Sequence, residues 1–159
     1  MGALTGKVAV VIGGHSGFGE AIVQRFHREG AQIAIAARRI DVVNAAASAV
    51  GGKGYQCDIT NNDEVAALIQ NVEKDFGRID IAVNCAGYEQ STPIAELTPE
   101  KLVAMQAVQF TGAIYCMQHF GNSMAASGGG SFLSISSQTA HSPAIGLAAY
   151  GSSKAGVEY

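Results

Sequence analysis

The stretch AAYGSSKAGVEY at the end of the chain sets a tyrosine and a lysine four residues apart, Tyr150 and Lys154. At that spacing the two side chains share one face of a helix, one turn from each other. A phenol ordinarily keeps its proton until about pH 10 and is a poor base near neutrality. A neighbouring ammonium favours the phenolate and makes proton exchange at the tyrosine oxygen accessible. The pair therefore has the chemistry of a general acid/base. The same two residues also suit the exposed surface of a fraying helix end, and the pair alone does not choose between these readings.

A second constellation, VVIGGHSGFGEAI, puts Gly13, Gly17 and Gly19 between an apolar run and a helical pattern. Backbone N–H groups at a helix start, aided by the positive end of the helix dipole, hold phosphate groups. Glycine there permits a tight turn, close approach of a phosphate, and close packing of helix on strand. The Gly-x-x-x-Gly-x-Gly spacing is one residue wider than the general dinucleotide fingerprint. A plain strand-to-helix turn would use the same residues, but the position after the first strand of an alternating chain weighs toward a dinucleotide.

Such residues need elements to hold them. Short β-rich runs alternate with helical patterns: KVAVVI then a helix over about 17–29, QIAIAA then a helix over about 41–50 with Asp41 as its N-cap, and KGYQC before a helix opened by Thr60 and Asp63. IDIAVN and SFLSIS follow, separated by a long helix over about 99–126 that starts with Thr98 as N-cap and Pro99 in its first turn. Strands joined through helices form a parallel sheet with helices on both faces, so a doubly wound α/β fold in one domain, 1–159, is expected. On the long helix Leu102, Val103, Met105, Val108, Phe110, Ile114, Tyr115, Met117 and Phe120 spread around most of the circumference. A helix apolar all round must be covered on both sides. One face suits the sheet and the other a second copy of the chain, giving a homo-oligomer, dimer or tetramer; chain beyond this sequence is the alternative cover.

With 159 residues the chain can bury a substantial core, and a net charge of −3 without a basic stripe speaks against nucleic acid as a partner. No apolar run reaches the roughly 20 residues of a membrane span, and the N-terminal run leads into the glycine loop rather than a cleavage site. Cys57, Cys85 and Cys116 are odd in number and sit in apolar stretches, which favours reduced thiols and a cytoplasmic location. His15, His27, His119 and His141 lack ligand spacing, so no metal site is expected.

Together these stretches resemble the classical short-chain dehydrogenases/reductases. IGGHSGFG is similar to that family's TGxxxGxG, with Ile12 in place of the usual threonine; CDIT, NCAG and SISS followed by YGSSK correspond to its further motifs, and Ser137 stands thirteen residues before Tyr150 as the family pattern has it. The resemblance implies a Rossmann-type sheet and hydride transfer between a nicotinamide and a carbonyl or secondary alcohol, with a small molecule as substrate. It assigns cofactor contacts to Gly13, Ser16, Gly17, Phe18 and Gly19, to Asp58 at the adenine and to Ile59 beside it in the sequence, and to Asn84, Ala86 and Gly87 at the ribose side. It makes Tyr150 the acid/base, Lys154 its partner and a ligand of the nicotinamide ribose, and Ser137 the group that orients the substrate oxygen. Gln109, in AVQFTG, occupies the place where the family has an asparagine on a proton path; core filler is the other reading.

An acid at the end of the second strand selects NAD(H), whereas a base admits the extra phosphate of NADP(H). By the family pattern that acid position is Ala37, followed by Arg38, so NADP(H) is expected over NAD(H), with Arg39 a solvated charge at the helix start. The segments 88–96 and 139–147 are expected to border the substrate. The extended branch of the superfamily, with epimerases and dehydratases, shares YxxxK but favours Gly-x-x-Gly-x-x-Gly. The family continues past the YxxxK helix, so the sequence reads as an N-terminal portion lacking the last strands, catalytically inactive by itself; a dinucleotide-binding remnant or sensor is the non-enzymatic alternative.

Overall fold

The computed structural model describes residues 2–159. Five parallel strands, β1 (Val8–Ile12), β2 (Gln32–Ala37), β3 (Lys53–Gln56), β4 (Ile81–Asn84) and β5 (Ser131–Ser134), form one sheet in the order β3-β2-β1-β4-β5. The helices are α1 (Gly17–Arg28), α2 (Ile40–Ser48), α3 (Asn62–Phe76), α4 (Pro99–Gln106), α5 (Gly112–Ala126) and α6 (Ala148–Glu158). This is a Rossmann-type doubly wound sheet.

Every residue of β1 is buried because both faces of the strand are covered. Successive side chains point to opposite faces. Val8, Val10 and Ile12 pack with Leu68 and Val72 of α3 and with Cys116 and Phe120 of α5, while Ala9 and Val11 pack with Val23 of α1 and with Val43 and Ala47 of α2. Burial pushes the Cys57 and Cys116 thiols up to about 12, Cys57 further raised by Glu64 and Asp58.

Helix starts depart from the sequence reading in two places. Asn61, not Thr60, caps α3: its Oδ1 accepts from the N–H groups of Asp63 and Glu64. Thr60 turns back instead and donates its hydroxyl to Asp58 at 2.8 Å. Asp41 lies inside the first turn of α2, whose N-cap position is Arg39; the side chain of that arginine makes no cap bond. Thr98 caps α4, accepting from the Lys101 N–H, with Pro99 in the first turn.

The long helix is interrupted. Residues Ala107–Thr111 form a π-helical turn between α4 and α5. A turn of that kind inserts one residue into the helical register and is favoured at functional sites. It buries Gln109 and leaves Phe110 half-exposed. Val103, Ile114 and Met117 also stay exposed on the outer face of these helices, while Met105, Cys116, Phe120 and Met124 are buried.

From β1 the chain builds outward to β2 and β3, then returns to place β4 on the other side of β1. The order reverses at the carboxyl ends of β1 and β4, where a crevice must open. Ile12 and Asn84 pair at that level, so the loops after both strands leave side by side.

Candidate active site

Two adjoining clefts occupy this crevice. The larger, of about 740 Å³, runs from the loop after β1 to the end of β2. Gly13 has φ +76 there, and a side chain on it would come within 3.1 Å of the Ala86 nitrogen. A side chain on Gly19 would stand 2.2 Å from the Gly13 carbonyl oxygen, so α1 meets the loop with backbone against backbone. Ser16 precedes α1 in extended conformation without a side-chain cap bond. The first-turn N–H groups of Gly17, Phe18 and Gly19 are thus left to the cleft those residues line.

Arg38 and Arg39 line the far end of the same cleft, beyond Ala37. Both are exposed, and among the described residues neither forms an ion pair. Asp58 and Ile59 form the side wall. Asp58 Oδ1 accepts from the Thr60 N–H at 3.0 Å and from its hydroxyl, which leaves Oδ2 without a partner among the described residues. The Glu64 carboxylate secures that corner by accepting from the Asp58 N–H at 2.8 Å. Asn84 is buried, and its Oδ1 accepts from the Ala86 N–H at 3.1 Å, a bond that spans Cys85.

The smaller cleft, of about 430 Å³, brings together Gln109, Ser137, Tyr150 and Lys154, which come from the π turn, the segment after β5 and α6. Lys154 is buried. Its Nζ donates to the Ile135 carbonyl at 2.6 Å and lies 5.8 Å from the centre of the Tyr150 ring. Burial holds the Lys154 ammonium below the usual lysine pKa, with nearby Cys85 pulling the other way. The Ser137 hydroxyl accepts from the Thr139 N–H at 3.2 Å and from the Thr139 hydroxyl at 2.9 Å. Gln109 donates through Nε2 to the Tyr88 carbonyl, while its Oε1 is buried without a partner among the described residues. Gly87 faces this amide: a side chain there would fall 2.8 Å from Oε1.

Some wall residues were not anticipated. Cys85 and Ile135 line both clefts. The contribution of Ile135 is a backbone carbonyl, which no residue type announces. Cys85 had a signal in its place inside NCAG. Tyr88 and Glu89 line the smaller cleft, at the start of the segment expected to border the substrate.

A reversed strand order, an uncapped helix end beside a glycine loop, and an adjoining cleft that gathers Ser137, Tyr150 and Lys154 are features of a Rossmann-type fold with its crevice at the strand-order reversal. Residues 7–159 match the family model described as short chain dehydrogenase, and the chain belongs to that family. It is 35% identical over 159 residues to D-threitol dehydrogenase of Mycolicibacterium smegmatis, covering 97% of this chain and 61% of that protein. Tropinone reductase-like 2 of Erythroxylum coca is 34% identical over 160 residues, with 97% of this chain and 58% of that one covered. Among solved structures, NAD+-bound xylitol dehydrogenase superposes with a TM-score of 0.93 at 27% identity, covering 98% of this chain and 62% of its own. The chain thus spans about three fifths of these relatives.

Proposed function

We propose that residues 1–159 form a single dinucleotide-binding domain of an NADP(H)-dependent oxidoreductase acting on a carbonyl or secondary alcohol. The observation that carries this reading is the shared wall of the two clefts: Phe18, Cys85, Ala86, Gly87, Tyr88 and Ile135 line both. An elongated ligand lying along the larger cleft has one end delivered to Tyr150 and Lys154.

The larger cleft suits a dinucleotide. Its N–H groups at the start of α1 would hold the pyrophosphate, and Asp58, through its free Oδ2, would accept from the adenine amino group. With Ala37 in place of an acid, nothing repels a 2′-phosphate, and a guanidinium at Arg38 can bind it in two-pronged fashion. When bound, the cofactor supplies or accepts the hydride at the substrate carbon.

The matching proton moves at Tyr150. Its hydroxyl gives a proton to the substrate oxygen as the carbonyl becomes an alcohol and takes one back in the reverse direction. Lys154, fixed by the Ile135 carbonyl, keeps its charge near the Tyr150 ring and favours the phenolate. With Thr139 occupying the acceptor positions of the Ser137 oxygen, the Ser137 O–H is left to donate to the substrate oxygen. Self-association belongs to the same reading, supported by Val103, Phe110, Ile114 and Met117 on the outer face of α4 and α5.

Calorimetric titration with NADPH and NADH tests the cofactor assignment. NADPH is expected to bind at least about tenfold more tightly; equal or tighter binding of NADH overturns it. Assay of ketones, steroids, sugars and acyl thioesters with the preferred cofactor then locates the substrate class.

A further inference from the structure

The segment Ile135–His141, which carries Ser137, is joined to α6 by three side-chain bonds. Lys154 Nζ donates to the Ile135 carbonyl, Ser136 Oγ donates to Glu158 Oε1, and His141 Nε2 lies 2.6 Å from Glu158 Oε2. The last two converge on one carboxylate, one oxygen each, from residues on either side of Ser137. Glu158 stands four residues after Lys154, so both project from the same side of α6.

Between these anchors lies only a short 3₁₀ turn, Gln138–Ala140, closed by bonds from the Ala140 N–H to the Ser137 carbonyl and from the His141 N–H to the Gln138 carbonyl. A turn of this length has too few internal bonds to hold its own position. The placement of the Ser137 hydroxyl relative to Tyr150 must come from outside the turn. Lys154 fixes the entry at Ile135, the Thr139 backbone packs on Gly151 of α6, where a side chain would fall 2.8 Å from the Thr139 carbonyl oxygen, and Glu158 adds the side-chain hold on the exit at His141.

We propose that Glu158 is a positioning residue: by gripping Ser136 and His141 together it seats the Ser137 turn on α6 and sets the separation of the Ser137 and Tyr150 hydroxyls. This rests on the reading of Ser137 and Tyr150 as partners of the substrate oxygen. Glu158 acts through Ser137 and does not line either cleft. The glycine loop, Arg38 and Asp58 belong to other elements, so the cofactor contacts made there do not depend on this carboxylate. Glutamine at 158 keeps an oxygen for Ser136 and offers its amide to a neutral imidazole, whereas alanine releases both ends.

Hydrogen exchange on the chain itself, with Glu158→Ala and Glu158→Gln, tests the tie. In the alanine variant the amides of Thr139, Ala140 and His141 are expected to exchange roughly tenfold faster while those of β1 and β4 do not change; the glutamine variant recovers most of the protection. With a substrate identified, Glu158→Ala lowers kcat by about tenfold or more and leaves cofactor affinity and Tm near their starting values, and Glu158→Gln restores kcat. Unchanged exchange at 139–141 in Glu158→Ala overturns the tie whether or not turnover is seen. Faster exchange with unaltered kcat overturns the positioning role. Failure of a chain extended past Tyr159 to turn over any substrate counts against the oxidoreductase reading, while exchange on the chain itself still decides the tie.

Discussion

The two ends of the sheet treat polar groups in opposite ways. At the amino end Asp80 is closed on all sides: it accepts from the Val8 N–H at 2.9 Å, from Lys7 at 3.3 Å and from Arg78 at 2.8 Å, and its own carbonyl takes the Ser131 N–H. At the carboxyl end, among the described residues, the Ser16 side chain makes no cap bond, Asp58 keeps a free oxygen, Arg38 and Arg39 have no acid, and Gln109 Oε1 is buried without a partner. A buried polar atom left unpaired costs about 1–3 kcal/mol. One end of the sheet pairs its polar groups within the fold, and the other leaves them without partners among the described residues.

The sharpest test of this contrast is Tyr150→Phe in a turnover-competent protein. Removing only the transferable proton is expected to lower kcat by roughly 10²–10⁴-fold with cofactor affinity unchanged, read by steady-state kinetics beside calorimetry. Retained turnover would put the proton elsewhere. Next in size is Arg38→Asp, which replaces a phosphate partner by a repelling carboxylate; NADPH affinity should fall several-fold to about a hundredfold, or ~1–3 kcal/mol, with NADH far less affected.

At the closed end, Asp80→Asn is expected to lower unfolding stability by about 1–2 kcal/mol in a urea titration without touching cofactor affinity. Burial alone would raise the Asp80 carboxyl; the Val8 N–H, then Lys7 and Arg78, outweigh it and hold the pKa below the usual carboxylate range. A depressed carboxylate stabilises fully above its unfolded pKa and loses that contribution as pH falls through the folded value. The difference between parent and Asp80→Asn should therefore be constant near neutrality and shrink below about pH 4.

The smallest effect belongs to Lys154. Its pKa is lowered in the fold, so the unfolded chain binds more protons in the interval below the ordinary lysine value of 10.5. Stability relative to Lys154→Met should rise as pH approaches that value. A flat difference would mean that the ammonium at the open end carries no burial penalty.

The alternation of strand and helix was legible because parallel strands covered on both faces have to be continuously apolar, as VAVVI is. The glycine loop was legible because Gly13 and Gly19 answer to contacts that a side chain forbids. The π turn was not: AVQFT contains neither proline nor glycine, and its register is decided by what α4 and α5 pack against. The cap of α3 was misread because Thr60 and Asn61 both make good caps, and only the neighbouring Asp58 shows which is diverted. Of the site, side chains could be anticipated, whereas the Ile135 carbonyl and the grip of Glu158 depend on long-range placement and on backbone.

The reversal of strand order also sets the sequence in which the sheet can assemble. Ala9 pairs with Ile33, 24 residues on, and with Ile81, 72 residues on. Closing the longer loop costs roughly 1 kcal/mol more chain entropy than closing the shorter. On loop entropy alone the β1–β2–β3 half has the lead, and pairing of β4 with β1 is the step of higher contact order. The crevice between β1 and β4 comes into being at that step, so a nascent or partly unfolded chain holding only its first three strands has the glycine loop without the opposite wall.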